Sequence, residues 1–348
     1  MKRPMTYLFA AAVLLTAALL TVRCERRPLV DAGNTHYVRV YLDEELKNVT
    51  TGFYDETLEK PDYATPEMLR VVLYDPANGH VAAERYLRNR KSDERGIYFD
   101  GYVVAAPGHY RLLTYNFGTE STLIRDGHLY DGIQAYTNEI SGTLRNSLSS
   151  RANGDNERIV YVPDHLFTDR NEELSTSFGS DIDTLRNAGG DHFTAGSIVL
   201  SYYLQIRVKG IDWISSAVGL LTGMAGSATL NDGQIRTEDP VTVYFEMQRG
   251  PSSANEGVIY TTFHTFGKLP DASNELAITF DVRTTDGRAL TTTLDITDKF
   301  SEPDAVEHQW LLLDQVLNIP EPEDPEGEGD GFTPGVDEWE DIETDIII

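Results

Sequence analysis

Apolar and polar residues alternate with a period of two along segment after segment of this 348-residue chain. Ile278, Phe280 and Val282 fall on one side of an extended backbone, and Thr279, Asp281 and Arg283 on the other. Val241, Val243, Phe245 and Met247 likewise oppose Thr242, Tyr244, Glu246 and Gln248. Successive side chains of a strand point to opposite faces, so this period, with β-branched and aromatic residues on the apolar side, predicts half-buried antiparallel strands. Strands are expected over 36–42, 68–75, 97–104, 110–117, 158–162, 197–209, 241–248, 258–266, 276–283 and 289–296.

Turn clusters separate them: Asp75-Pro76-Ala77-Asn78-Gly79, Pro107-Gly108, Asp126-Gly127, Asp131-Gly132, Asn231-Asp232-Gly233 and Asp286-Gly287. The last, between two alternating runs, is a hairpin signal. No rhythm of parallel strands and crossover helices is visible, and the fold class is all-β, built as β-sandwiches. At roughly 150 residues per domain the length suits two such units. The polar stretch 163–196, with Asn187-Ala188-Gly189-Gly190, places their boundary near residue 175, dividing the body into 24–175 and 176–318. One segment departs from the strand pattern. Apolar residues at 213, 214, 217, 218, 220, 221 and 224, behind Asp212 as a cap, predict a short helix covering one end of a sheet.

Composition excludes several functions. Lys and Arg number 29 against 56 Asp and Glu, a net charge of −27. Such a surface repels phosphate backbones, so no nucleic acid is expected as a partner. With 40% hydrophobic and 24% charged residues the chain has the makings of a buried core. A single cysteine rules out an internal disulfide framework and any multi-cysteine zinc site. None of the H-E-x-x-H, G-x-S-x-G, G-x-G-x-x-G or P-loop patterns occurs. The eight histidines are scattered; His128, in a Gly-rich turn, and His264, in a strand, read as structural. Neither enzymatic activity, nor a metal, nor a cofactor is expected.

Both ends differ from the body. Lys2 and Arg3 precede an uncharged apolar run over 7–22. As a helix this run spans roughly 24 Å, short of a ~30 Å hydrocarbon core, and residues 1–23 read as an export signal. The only cysteine, Cys24, follows directly, where a bacterial lipoprotein signal is cut and the new amino terminus acylated; Arg23 stands where a small residue is usual. At the other end residues 319–348 are expected to form a flexible acidic tail. Glu321 to Gly331 are Pro, Gly and acidic residues, and no Lys or Arg follows Lys299. The tail closes on a second alternation after Trp339, with Ile342, Thr344, Ile346 and Ile348 on one side and Asp341, Glu343 and Asp345 on the other. Its 321–331 stretch lacks the spacing of an EF-hand loop.

Three segments travel together: Cys24-Glu25-Arg26-Arg27-Pro28-Leu29, the run from Ile214-Ser215-Ser216-Ala217 through Leu221-Thr222-Gly223-Met224-Ala225-Gly226-Ser227, and Gly331-Phe332-Thr333-Pro334-Gly335-Val336-Asp337-Glu338-Trp339-Glu340. On these the chain resembles the Bacteroidetes fimbrillin-related lipoproteins, in particular the FimB/Mfa2-like anchor and minor subunits. The resemblance implies two tandem transthyretin-like antiparallel β-sandwich domains, lipid attachment at Cys24, and anchorage in the cell outer membrane as a component of a fimbria. Other fimbrial subunits are the implied partners, with a host or bacterial surface ligand beyond them. Subunits of that family join when a strand of one enters a groove of its neighbour. That gives Trp339, Ile342, Thr344, Ile346 and Ile348 the role of an inter-subunit strand, with completion of the chain's own sheet as the other reading. The competing function is a surface glycan-binding lipoprotein of a polysaccharide-uptake system. It requires a flat exposed aromatic pair among the 18 tyrosines and three tryptophans, of which Trp213 and Trp310 are expected in the core.

Overall fold

The computed structural model describes residues 34–43, 65–117, 121–149, 157–179, 181–182, 193–270 and 276–323. Cys24, Trp339, Ile342, Thr344, Ile346 and Ile348 lie outside the described residues.

The first part of the chain forms β1 (Thr35–Leu42), β2 (Leu69–Tyr74), β3 (Val81–Leu87), β4 (Asn89–Asp93), β5 (Gly96–Val104), β6 (Gly108–Asn116), β7 (Thr122–Arg125), β8 (Gln134–Thr137), α1 (Gly142–Ser147), β9 (Arg158–Tyr161), β10 (Phe167–Thr176) and β11 (Phe193–Ser197). Eight of these strands hydrogen-bond in the order β3-β2-β6-β10-β11-β1-β5-β4. Short β11 pairs with β10 at Phe167 and Thr168 and with β1 at Val40 to Leu42, so it turns the corner between two layers. Val38, Val40, Phe99 and Val103 of one layer pack in one core with Leu69, Val71, Leu73 and Leu112 of the other. Only Arg88 separates β3 from β4, the two ends of the sheet order, so the chain itself closes the opposite corner. Leu87 folds inward there over Gly101, where a Cβ would stand 2.7 Å from its Cδ2.

The second part forms β12 (Leu200–Lys209), β13 (Ile214–Ala225), β14 (Ser227–Thr229), β15 (Pro240–Ser253), β16 (Glu256–Thr265), β17 (Ala277–Thr284), β18 (Ala289–Asp295), α2 (Pro303–Glu307) and β19 (Trp310–Asn318). Its sheet runs β18-β17-β13-β15-β16-β12-β19, with β9 paired to β15. The 14-residue β15 serves both layers: Val241 to Met247 pair with β13, and Gln248 to Ser253 pair with β16 across a register shift. Both alternations hold. Ile278, Phe280, Val282, Val241, Val243 and Phe245 share one core with Leu204, Ile206, Ile259, Phe263, Leu311 and Leu313. The polar side of this layer is covered too, since Ile140, Ile159, Leu220 and Tyr244 cluster over it beside Leu144 of α1. Thr242 is accordingly buried, its hydroxyl donating to Glu157 Oε2 at 2.8 Å.

Three expectations are corrected. The 212–226 segment is helical only as a short 3-10 turn at Ile211–Trp213; it continues as β13, central between β15 and β17. A strand buried on both faces has no polar side, and its continuous apolar run imitates helical spacing. The division near 175 is not a boundary between sheets, because β11 completes the first sheet and β9 joins the second. Finally, pairing is not wholly antiparallel: among the described residues β1–β11, β9–β15 and β12–β19 run parallel. Trp310 is buried as expected, whereas Trp213 is half-buried.

A small sheet, β14-β8-β7, draws β7 and β8 from the first part and β14 from the second. Under it Val72, Tyr74, Leu113 and Tyr115 meet Ala225, Ala228, Leu230, Phe266 and Leu269 in a third core. The two sandwiches are therefore joined by shared hydrogen bonding and a shared apolar interior.

Candidate assembly surfaces

A chain that associates through strands must present unpaired backbone at an edge, and natural edges are normally blunted by charge, bulges or cover. β4, with the sequence Asn-Arg-Lys-Ser-Asp, is exposed throughout and charged. β3 carries Glu84 and Arg85 and breaks register with β2 between Leu73 and Tyr74. β19 breaks register with β12 between Ile206 and Arg207 and carries Asp314. β18 differs. Its register with β17 is unbroken from Ala277 to Arg283, and Ala289 to Leu294 are uncharged and free of proline. Leu290 and Leu294 pack against the core, while Thr291, Thr292 and Thr293 are exposed.

The C-terminal exit lies beside the start of β18. Arg288 Nη2 donates to the Glu321 carbonyl at 2.7 Å, and its Nε donates to Asp286 Oδ2 at 2.6 Å. The Glu323 amide donates to the same Asp286 oxygen at 3.2 Å. Bonds from the Thr284 hydroxyl first, then from the Arg288 and Glu323 amides, lower the Asp286 carboxyl to about 2. It thus stays ionised as the centre of a clasp on the 321–323 segment. The sequence expected this strand but gave no sign of its edge position or of the clasp, since Arg288 carries no motif.

The outer face of β1 and β5 is rich in tyrosine. Asp100, only 8% exposed, accepts from Tyr37 Oη at 3.0 Å, Asn89 Nδ2 at 2.7 Å and Lys91 Nζ at 2.6 Å. Burial opposes its ionisation, but the bonds from Lys91, Tyr37 and Asn89 outweigh it and hold the carboxyl below its usual range. The Arg39 guanidinium lies 4.8 Å from the Tyr98 ring centroid, covering that ring. Tyr102 is 58% exposed, but its neighbour Tyr37 stands edge-on at 62°. This pair does not form the flat platform that the glycan reading requires.

At the junction of the two sandwiches, His165 Nε2 and His264 Nδ1 each lie 2.9 Å from Ser201 Oγ, with the two rings 4.7 Å apart. Asn116 braces His165 by donating to its carbonyl at 2.8 Å. Burial lowers His165 to about 4; burial and the neighbouring ring lower His264 to about 3. Both rings are neutral at physiological pH. Among the described residues no group of three or more His, Cys, Asp or Glu is placed to hold a metal ion.

Comparison with known proteins fits this architecture. Over 252 residues the chain is 26% identical to a Bacteroides ovatus protein provisionally named fimbrium anchoring subunit Fim4B, a match spanning 72% of this chain and 63% of that relative. A crystal structure of a provisionally assigned adhesin from Bacteroides ovatus superimposes with a TM-score of 0.53 at 21% identity, covering 87% of this chain and 98% of that one. The fimbrial anchor protein Mfa2 of Porphyromonas gingivalis is more distant, with a TM-score of 0.44 at 12% identity over 80% of this chain and 87% of its own. A family profile described as a domain of unknown function, DUF5119, matches residues 56–246. That interval begins before β2, runs through the shared β14-β8-β7 sheet and ends within β15, spanning the junction of the two sandwiches; with more than half its length inside the profile, the chain belongs to the DUF5119 family.

Proposed function

We propose that this chain is a structural, non-enzymatic subunit of a cell-surface fimbria, an anchor or accessory component. In this reading residues 1–23 are removed on export, and acyl chains on Cys24 hold the protein at the outer membrane. Two or more acyl chains give stable attachment where one does not. The observation that carries the reading is the 252-residue similarity to a relative named as a fimbrium anchoring subunit. Its all-β body with an unblunted edge is in keeping with association through strands.

Neighbouring subunits then join through the segment containing Trp339, Ile342, Thr344, Ile346 and Ile348. Burying three isoleucines contributes roughly 1.5–3 kcal/mol each. Ordering the segment opposes this at about 1–2 kcal/mol per residue. Apolar burial alone does not hold such a joint; the backbone ladder of an added strand must supply the remainder. Deletion of residues 336–348 is therefore expected to abolish co-purification with fimbrial partners while both sandwiches stay folded by circular dichroism. Co-purification at the wild-type level refutes the assignment of the joint to this segment.

A further inference from the structure

We propose that in the free, unassembled subunit residues 342–348 pair in cis with the outer edge of β18, adding a strand to the second sheet. The inference goes beyond the function proposed above, because it concerns the state before any partner arrives; it shares with that reading only the strand character of the segment.

Four observations converge. Among the described residues β18 pairs only with β17, so backbone N–H and C=O groups along its other side have no strand partner. Unlike β3, β4 and β19, it has neither charge, nor proline, nor register break between Ala289 and Leu294, and an edge of that kind invites pairing with any strand at hand. The Arg288–Asp286 clasp then holds Glu321 and Glu323 at the start of this same strand, with a further contact of 3.6 Å between Arg288 Nη1 and Glu323 Oε1. Finally, 342–348 alternates as an edge strand should, with Ile342, Thr344, Ile346 and Ile348 on one side. In the paired state Ile342, Thr344, Ile346 and Ile348 extend the row that contains Leu290 and Leu294, while Glu343 and Asp345 face water.

Reach favours the chain's own segment over another copy's. Residues 324–341 extend up to ~60 Å, against about 24 Å for a seven-residue strand. A tether of this kind gives an effective local concentration on the order of millimolar, above that of free subunits in solution.

The test is hydrogen–deuterium exchange on the isolated chain from residue 24 carrying Cys24→Ser, compared with the same chain ending at Glu323. Within residues 289–295, the amides directed away from β17 are expected to exchange at least ~10-fold more slowly in the longer chain. This protection should be independent of protein concentration, with a monomer by light scattering, and should be lost in Ile346→Asp. A synthetic peptide of residues 336–348 added to the shorter chain should restore it. Equal exchange in the two chains overturns the proposal. So does protection that appears only as dimers form, or protection by the peptide at a strand other than β18. Fimbrial partners are absent from this experiment, so its outcome is separate from that of the co-purification test.

Discussion

His165 and His264 stand 4.7 Å apart, ring edge to ring face, with Ser201 Oγ bridging them across the junction of the two sandwiches. His165 approaches on the segment between β9 and β10, whereas Ser201 and His264 belong to the second sheet. Burial keeps both rings neutral: the imidazoles lie below their ordinary 6.5, at about 4 and about 3.

Acid should therefore loosen the junction. An unfolded chain takes up protons on these rings near pH 6.5, whereas the folded chain does so only at about 4 and below. Stability from the neutral rings is fully present above pH 6.5 and declines as the pH falls toward those folded values. At about 1.4 kcal/mol per pKa unit, His165 alone accounts for on the order of 3 kcal/mol. Urea midpoints measured at about pH 7.5 and about pH 4.5 should differ accordingly, with a smaller difference in His165→Gln. Equal slopes in the two proteins dismiss the bridge as the origin.

Gly219 has no room for a side chain. It lies on central β13 opposite Phe245, and a Cβ there would come within 2.6 Å of Phe245 Cζ. That ring is itself stacked on Phe263, with centroids 4.6 Å apart and planes 9° apart. Gly219→Ala is expected to destabilise the second sandwich by about 1–3 kcal/mol through overpacking. Thermal unfolding with a Gly287→Ala control, at a turn where a Cβ meets nothing within 4 Å but φ is +84°, separates crowding from backbone strain. The Gly219 variant should retain the larger deficit if crowding dominates.

The lipid attachment proposed at Cys24 has a sharp chemical readout. Cys24→Ala should abolish incorporation of labelled palmitate in cells and move the protein out of the membrane fraction, because in the proposed reading anchoring rests on the acyl chains. Undiminished labelling of the variant places the lipid elsewhere, and absence of label from both proteins shows there is none.

Legibility followed the alternation of residue chemistry and not burial. Segments 241–248 and 276–283 announced themselves by alternation of apolar and polar residues and lie in β15 and β17, although Thr242, Thr279 and Asp281 on their polar side are buried as well. β13 was misread because from Ala217 onward apolar residues and glycine occupy both its faces, leaving no polar side to mark the period. β4 and β10 were not expected because exposed strands need no apolar pattern: all of β4 and much of β10 face water, and pairing alone holds them extended. Of the candidate assembly surface, the strand at 289–296 was readable. Its lack of an outer neighbour was not, since that depends on where β17, β12 and β19 come to lie.

The amino-acid order alone thus determined that this chain is sheet-forming and acidic, with an apolar run ahead of its only cysteine and a second alternating run over 342–348, because these follow from side-chain chemistry over a few residues. Only the tertiary structure decided which strands are neighbours: β11 turning a corner, β9 crossing into the second sheet, β14 joining β7 and β8, and β18 left at the rim. Those choices are made by backbone hydrogen bonds and apolar contacts between residues distant in the chain. No local pattern encodes them, because each strand's period says which face is inward and nothing about who stands beside it.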